Sequence, residues 1–340
     1  MAHPKSYNAF AFTEKHGKLQ PIVLPWKDPR EGEVVVKVLA CGVCGSDEFL
    51  EEGFWGVTYP RVPGHEIVGD IIQVHPTVTQ WKVGQRVGGA WHGKQCHTCP
   101  PCRAGDFMHC HSEEPNGIAR DGGYAEYVTL RSEILINVPQ DADPVEVAPL
   151  LCAGVTVFNG IRHMDYDPGD LVAVQGIGGL GHLAIQYARK MGLRPVAIST
   201  SPSKKDIALR LGAEAFLDSS KEDVGKALTE MGGAKIIIVT ANDGSILPSF
   251  LEGLGFGGTL LLLSFPTATP LPLEHLVVKG AAIRGWPAGD AKACEDALQF
   301  AKSFGIRSLN EAFPLEKAVE AYEHRTKARF RAVIVPHTQA

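Results

Sequence analysis

Eight cysteines in 340 residues are few for a disulfide scaffold, and six of them fall into two local groups. Clustered cysteine without a secretory leader reads as metal ligation or redox chemistry first. Cys96, Cys99, Cys102 and Cys110 form C-x-x-C-x-x-C with a fourth cysteine eight residues on, in a loop rich in Pro, Gly and His. Four thiolates from one loop can close a tetrahedral zinc site with no open position, which is the structural kind. An iron–sulfur cluster is the alternative for such a set. The neighbouring His97, His109 and His111 read as solvent-facing, because the thiolates complete the coordination.

The second constellation is dispersed: Cys41 and Cys44, then Gly64-His65-Glu66, then Cys152. A catalytic zinc takes about three protein ligands and keeps one position open, and one His with two Cys fits that count. Spacing alone leaves two bland readings standing. Cys152 could be a small buried hydrophobe, and Cys41-x-x-Cys44 a redox pair. A third stretch, Gln175-Gly176-Ile177-Gly178-Gly179-Leu180-Gly181, follows the apolar run Leu171 to Val174 and opens the helical pattern His182 to Lys190. Strand, G-x-G-x-x-G and helix in that order make a dinucleotide fingerprint. Gly176 allows the turn, Gly178 lets backbone approach a pyrophosphate, and Gly181 lets helix pack on strand, with the helix start facing the phosphates.

The elements that must position these groups change character along the chain. Up to about Val138 the sequence reads as short strands separated by Gly and Pro, among them Glu33 to Cys41, Ile67 to Val74 and Trp81 to Val87. Pro144 to Asn159 reads as a helix. From Asp170 strands alternate with helices, the signature of a doubly wound parallel sheet. After a linker at Pro287-Ala-Gly come helices at Asp290 to Phe304 and Leu315 to Arg325 and a last strand, Arg331 to Val335. The expected class is α/β, with domain boundaries at 1–153 plus 286–340 and at 154–285. The net charge of −5 gives no reason to expect nucleic acid or an anionic membrane as partner. With no signal-like N-terminus and no apolar run long enough to span a bilayer, a cytoplasmic protein is expected.

Taken together, Cys41-Gly-Val-Cys44-Gly-Ser46-Asp47, Gly64-His65-Glu66, the four-cysteine loop, Cys152 and Gly176 to Gly181 resemble the zinc-containing alcohol dehydrogenases of the medium-chain dehydrogenase/reductase superfamily, in the family's order and over essentially the whole chain. The resemblance implies a mostly β, GroES-like catalytic domain beside a Rossmann coenzyme domain, with the active site in a cleft. It implies a catalytic zinc on Cys44, His65 and Cys152, a structural zinc on Cys96, Cys99, Cys102 and Cys110, and Cys41 as a bystander. Asp47 matches the carboxylate that holds the ligand histidine and Glu66 the acid behind the metal. Ser46 matches the hydroxyl that bonds the substrate oxygen, and Thr156 a residue near the nicotinamide. Where many members end a proton relay with histidine, this chain has Phe49; His75 and His92 are weak substitutes and read as surface or loop histidines. Phe49, Trp55, Trp91 and His92 are candidates for the substrate pocket, with Trp91 or His92 facing the substrate. A homodimer or homotetramer is implied as well.

The cofactor's second phosphate is read from the next strand end. A fold that prefers NAD places a carboxylate there, about 20 residues after the glycine turn. This chain has Ser199-Thr200-Ser201-Pro202-Ser203-Lys204-Lys205, with no carboxylate before Asp206. Hydroxyls and ammonium groups suit a phosphate dianion, and the stretch is similar to the same turn in plant cinnamyl alcohol dehydrogenases. The expectation is NADP(H) on Gly176, Gly178, Gly179, Leu180, Gly181, Ser199, Thr200, Ser201 and Lys204, and reduction of an aromatic or bulky aldehyde. The alternatives are an NAD-dependent alcohol or polyol dehydrogenase, an enoyl reductase, and a non-catalytic zinc-binding interaction protein.

Overall fold

The computed structural model describes residues 3–337, the side chain of Trp55 excepted, so the expectation for that side chain lies outside the described residues. The chain divides into two compact units. One comprises the residues up to Val155, Gly289–Gln299 and those from Ser308 on; the other is Thr156–Ala288 with Phe300–Arg307.

The first unit is built on a seven-stranded sheet whose central strand is Glu33–Gly42. Its β-branched run Val34-Val35-Val36 is buried on both faces, with Val34 and Val36 in the core on one of them. It pairs antiparallel with Ile67–Val74, Tyr127–Arg131 and Arg331–Val335. The register places Cys41 opposite both Ile67 and Ile334. The segments Cys44–Asp47 and Gly64–Glu66 and the side chain of Arg331 therefore gather at one end of the sheet. Phe10, Phe12, Leu50, Ile67, Ile71, Tyr124 and Leu130 form the core beneath them.

The second unit carries six parallel strands: Leu171–Gln175, Arg194–Ser199, Ala215–Asp218, Ala234–Val239, Leu254–Leu262 and Ala282–Gly285. Taken in chain order, they lie in space as third, second, first, fourth, fifth, sixth. This is the doubly wound dinucleotide-binding order, with a topological switch between the first and fourth strands. Leu171–Gln175 is buried throughout, as expected for a parallel sheet with helices on both faces.

Two sequence expectations need correction. The strand expected over Trp81 to Val87 is instead Arg86–Gly89, because Lys82 to Gln85 close a turn through Gln85 N–H to the Lys82 carbonyl. The helix expected from Pro144 to Asn159 is broken. Pro144–Val147 runs into a 3₁₀ turn, Ala148–Leu151, then Cys152 leaves helical geometry at φ −124 and ψ −76, and a new helix spans Ala153–Arg162. Pro149 lacks the amide a continuous helix needs, and the break puts Cys152 at a helix entrance. Among the described residues no single helix is long and apolar enough to cross a membrane.

Candidate active site

Cys44, His65, Glu66 and Cys152 each present a ligand atom, and the four atoms lie within 4.8 Å of one another. The sulfurs of Cys44 and Cys152 are 3.8 Å apart. Two thiolates at about 2.3 Å from a tetrahedral zinc stand roughly 3.8 Å apart, so the pair has the spacing of one zinc edge. Cys41 stays outside the group, its thiol directed to the Gly42 carbonyl. The site therefore consists of Cys44 just past the end of the central strand, His65 and Glu66 just before the next strand, and Cys152 at the helix break.

Asp47, fully buried, ties the first two together. Its Oδ2 accepts the Cys44 amide at 2.9 Å. Its Oδ1 lies 3.1 Å from His65 Nδ1, close but off the hydrogen-bonding axis. With Nδ1 beside the carboxylate, Nε2 is the nitrogen left on the Ser46 and Cys44 side, the orientation a metal-binding imidazole needs. Ser46 Oγ donates to Cys44 Sγ at 3.1 Å and lies 3.3 Å from His65 Nε2. Behind the group, Arg331 Nη2 sits 2.9 Å from Glu66 Oε1, both side chains buried. Sequence reasoning missed Arg331, which carries no local signal and arrives only through strand pairing.

The electrostatics suit a cation. The Cys44 thiol is held well below its usual range by the Cys152 sulfur, against burial, and by Arg331. Cys152 is correspondingly pushed up by Cys44 and by burial. Burial opposes charge on His65, but Asp47 and Cys44 outweigh it and raise the imidazole. Burial pushes the Glu66 carboxyl up to about 8, with Arg331 opposing. Two sulfurs, an imidazole and a carboxyl gathered in one dehydrated nest are the donor set that a zinc ion takes.

The four-cysteine loop folds into a second nest, its sulfurs likewise within 4.8 Å of one another. Backbone amides aim at them: Cys99 N–H at Cys96 Sγ (3.4 Å), Cys96 N–H and Ser112 N–H at Cys110 Sγ (3.3 and 3.4 Å). The Thr98 hydroxyl and nearby amides hold the Cys96 thiol down to about 5. Bonds of this kind favour the thiolate, the metal-binding form, at Cys96 and Cys99, while burial pushes the Cys102 thiol up to about 12. His97, His109 and His111 are exposed.

In the other unit the glycine turn has the geometry its sequence requires. Gly176 adopts φ +86, and a Cβ on Gly181 would stand 1.8 Å from the Gly176 carbonyl oxygen, whereas one on Gly178 would meet nothing within 4 Å. Gly178 thus leaves open backbone for a phosphate, at the head of the helix Gly181–Lys190. Gly179 and Leu180 complete the turn. Ser199 is buried at the end of its strand, and its Oγ accepts the Ser201 amide at 3.2 Å. Lys204 folds back so that Nζ reaches the Ile177 carbonyl at 2.9 Å, bringing its charge onto the glycine turn, while Thr200 is exposed at the bend. Thr156 is buried in the helix Ala153–Arg162.

Aromatic residues line the approach to His65. Trp91 meets the His65 ring edge-on at 5.1 Å, Phe49 meets Trp91 at 6.5 Å, and Phe54, missed in the sequence, meets Phe49 at 5.4 Å. His92 departs from the surface or loop reading. It is buried, with Nδ1 3.3 Å from Glu113 and Nε2 3.2 Å from Gln95, so its nitrogens serve the cysteine loop.

Comparison with known proteins agrees with this arrangement. Residues 30–140 match the alcohol dehydrogenase GroES-like domain and residues 179–303 the zinc-binding dehydrogenase domain. Alcohol dehydrogenase notN of Aspergillus sp. is 45% identical over 336 residues, covering 98% of this chain and 99% of its own. A cinnamyl alcohol dehydrogenase of Sorghum bicolor superposes with TM-score 0.88 at 31% identity, over 97% of this chain and 98% of its own. A Helicobacter pylori structure titled as CAD complexed with NADP(H) gives TM-score 0.85 at 26% identity, over 97% and 98%. A Rossmann sheet joined to a GroES-like fold with a cysteine–histidine nest defines a medium-chain oxidoreductase. The chain belongs to the zinc-binding alcohol dehydrogenases of that superfamily, enzymes that use zinc and a nicotinamide cofactor.

Proposed function

We infer that the enzyme is an NADP(H)-dependent alcohol dehydrogenase and aldehyde reductase acting on primary alcohols and aldehydes with an aromatic or bulky group. Cys44, His65 and Cys152 hold the catalytic zinc, Cys96, Cys99, Cys102 and Cys110 a structural one, two ions per chain. The sheet unit around Glu33–Gly42 is the catalytic domain and the Rossmann unit the coenzyme domain. When bound, the zinc supplies Lewis acidity at the substrate oxygen and the nicotinamide supplies or takes the hydride. The chain's residues do the rest. Asp47 fixes the imidazole, and Ser46 Oγ, beside Cys44 and His65, holds the proton of the substrate oxygen. Phe49 offers no acceptor, so that proton leaves Ser46 without the usual histidine. The edge-on wall of Trp91, Phe49 and Phe54 favours a flat apolar substrate.

The observation that carries the cofactor choice is the turn after Arg194–Ser199. It holds hydroxyls and a lysine folded onto the glycine turn, where an NAD enzyme would hold a carboxylate. Charge-assisted bonds to a phosphate are worth about 1.5–3 kcal/mol each, so kcat/KM for NADPH should exceed that for NADH by roughly 10² with a single aromatic aldehyde. In Ser199→Asp the introduced carboxylate repels the phosphate and the ratio collapses towards unity or below. A parent enzyme that prefers NADH, or a ratio indifferent to the aspartate, rules the reading out.

The second unit also leaves a sheet edge uncovered. Ala282–Gly285 pairs only with Leu254–Leu262 among the described strands, and Phe256, Val277 and Val278 nearby are 82%, 84% and 73% exposed. An open edge beside exposed apolar side chains is the surface two copies would share. Light scattering should return at least twice the chain mass; a monomer mass removes this assignment.

A further inference from the structure

We propose that Tyr124 is a positioning residue for the catalytic metal centre, acting through Asp47 on both His65 and Cys44. The inference rests on the assignment of Cys44, His65 and Cys152 to zinc. Tyr124 is fully buried and its hydroxyl donates to Asp47 Oδ2 at 2.7 Å. The same oxygen accepts the Cys44 amide, while the other oxygen of Asp47 faces His65 Nδ1. One carboxylate thus orients two ligands, and Tyr124 supplies a bond that neither ligand provides.

The backbone fixes the tyrosine to the segment it serves. Tyr124 N–H donates to the Pro63 carbonyl at 3.1 Å, and Gly123 N–H to the Gly64 carbonyl at 3.0 Å. Gly64, at φ +102, leaves room for the ring: a Cβ there would stand 2.5 Å from Tyr124 Cδ1 and 2.7 Å from Cys41 Sγ. A closed circuit results, from His65 back along the chain to the Gly64 and Pro63 carbonyls, through the Gly123 and Tyr124 amides to the phenol, across its hydroxyl to Asp47, and so to the imidazole face. A carboxylate in that position has two rotational freedoms that would let its oxygens swing away from Nδ1. The phenol pins one oxygen and thereby aims the other. Burial and Asp47 both keep the phenol protonated, so it remains a donor. A phenylalanine would fill the same space and leave the carboxylate with the Cys44 amide alone.

The test compares release of zinc to a chromogenic chelator, together with steady-state kinetics and urea midpoints. Groups supporting a metal ligand typically change metal affinity or activity by about 10- to 100-fold. Tyr124→Phe should therefore accelerate loss of the catalytic zinc by roughly that factor and lower kcat similarly. KM for NADPH and release of the four-cysteine zinc should stay near parent values, and the urea midpoint should fall by no more than the loss of one buried hydrogen bond accounts for. In an Asp47→Asn background the same substitution should have a much smaller effect, because coupled residues are not additive. Unchanged release in Tyr124→Phe, or an equal factor in both backgrounds, overturns the proposal. His65→Ala is the control that separates the two readings. If it keeps both zinc ions, the ligand assignment itself falls; if it loses one while Tyr124→Phe releases zinc at the parent rate, only the role of Tyr124 falls.

Discussion

Cys44→Ser and His65→Ala should each lower kcat/KM by at least about 10³-fold and remove one of two zinc ions per chain. A bound metal that polarises the substrate oxygen contributes several kcal/mol in the transition state, and every 1.36 kcal/mol is about tenfold in rate. The Cys44 and Cys152 sulfurs, 3.8 Å apart, and the His65 imidazole are the three donors assigned to the ion, since the fourth member of the group, Glu66, is engaged by Arg331 at 2.9 Å. Removing one leaves two, too few to hold the ion tightly. The fold should survive Cys44→Ser, which keeps the side-chain volume and the Asp47 bond to the Cys44 amide. His65 is fully buried, so its alanine variant should also lose about 1–3 kcal/mol of stability. Metal analysis, steady-state rates and a urea titration on the same preparations check this. Activity within tenfold of the parent, or an unchanged zinc count, would sink the assignment.

What was legible in the sequence is what depends on local spacing. The four cysteines lie within one loop, so their spacing alone specifies their meeting. The glycine turn is a strand–turn–helix read within a few residues, and the parallel alternation follows from period and punctuation. Cys152 was legible only as part of a family pattern. Its placement depends on Pro149 breaking a run of apolar residues that otherwise reads as one helix. Arg331 and Tyr124 were invisible for a different reason. The register of Ile334 opposite Cys41 brings Arg331 behind Glu66, and only the folded backbone carries Tyr124 onto Gly64. Neither contact has a sequence period. His92 misled because a histidine beside a tryptophan in a loop looks exposed, and only the packed cysteine loop supplies the Glu113 and Gln95 partners that bury it. The short strands Ala215–Asp218 and Ala282–Gly285 were passed over because four residues give too little pattern.

Cys99→Ser should separate stability from chemistry in the opposite sense. Residues 96–112 hold one short helix, Pro100–Arg103, and one 3₁₀ turn, Phe107–His109, with few buried side chains beyond Cys102 and Cys110. Such a loop cannot bury enough apolar surface to offset the entropy of ordering it, so metal binding must supply the difference. The Cys99 thiol is already held low by the Cys102 and His111 amides, and serine cannot present a comparable anion at neutral pH. With one of four ligands gone the loop should open locally while the strands beneath it hold. A loss of about 3 kcal/mol corresponds to a fall in melting temperature of roughly 6–12 °C for a domain of this size. Hydrogen exchange across 96–112 should rise, and trypsin should cut after the exposed Arg103. In the cold, before the loop opens fully, kcat should stay within about threefold of the parent, because no atom of this nest belongs to the Cys44–His65–Cys152 group. A variant with the parent's melting temperature and protection, or one inactive at low temperature with its fold intact, would show that the loop does something other than hold itself together.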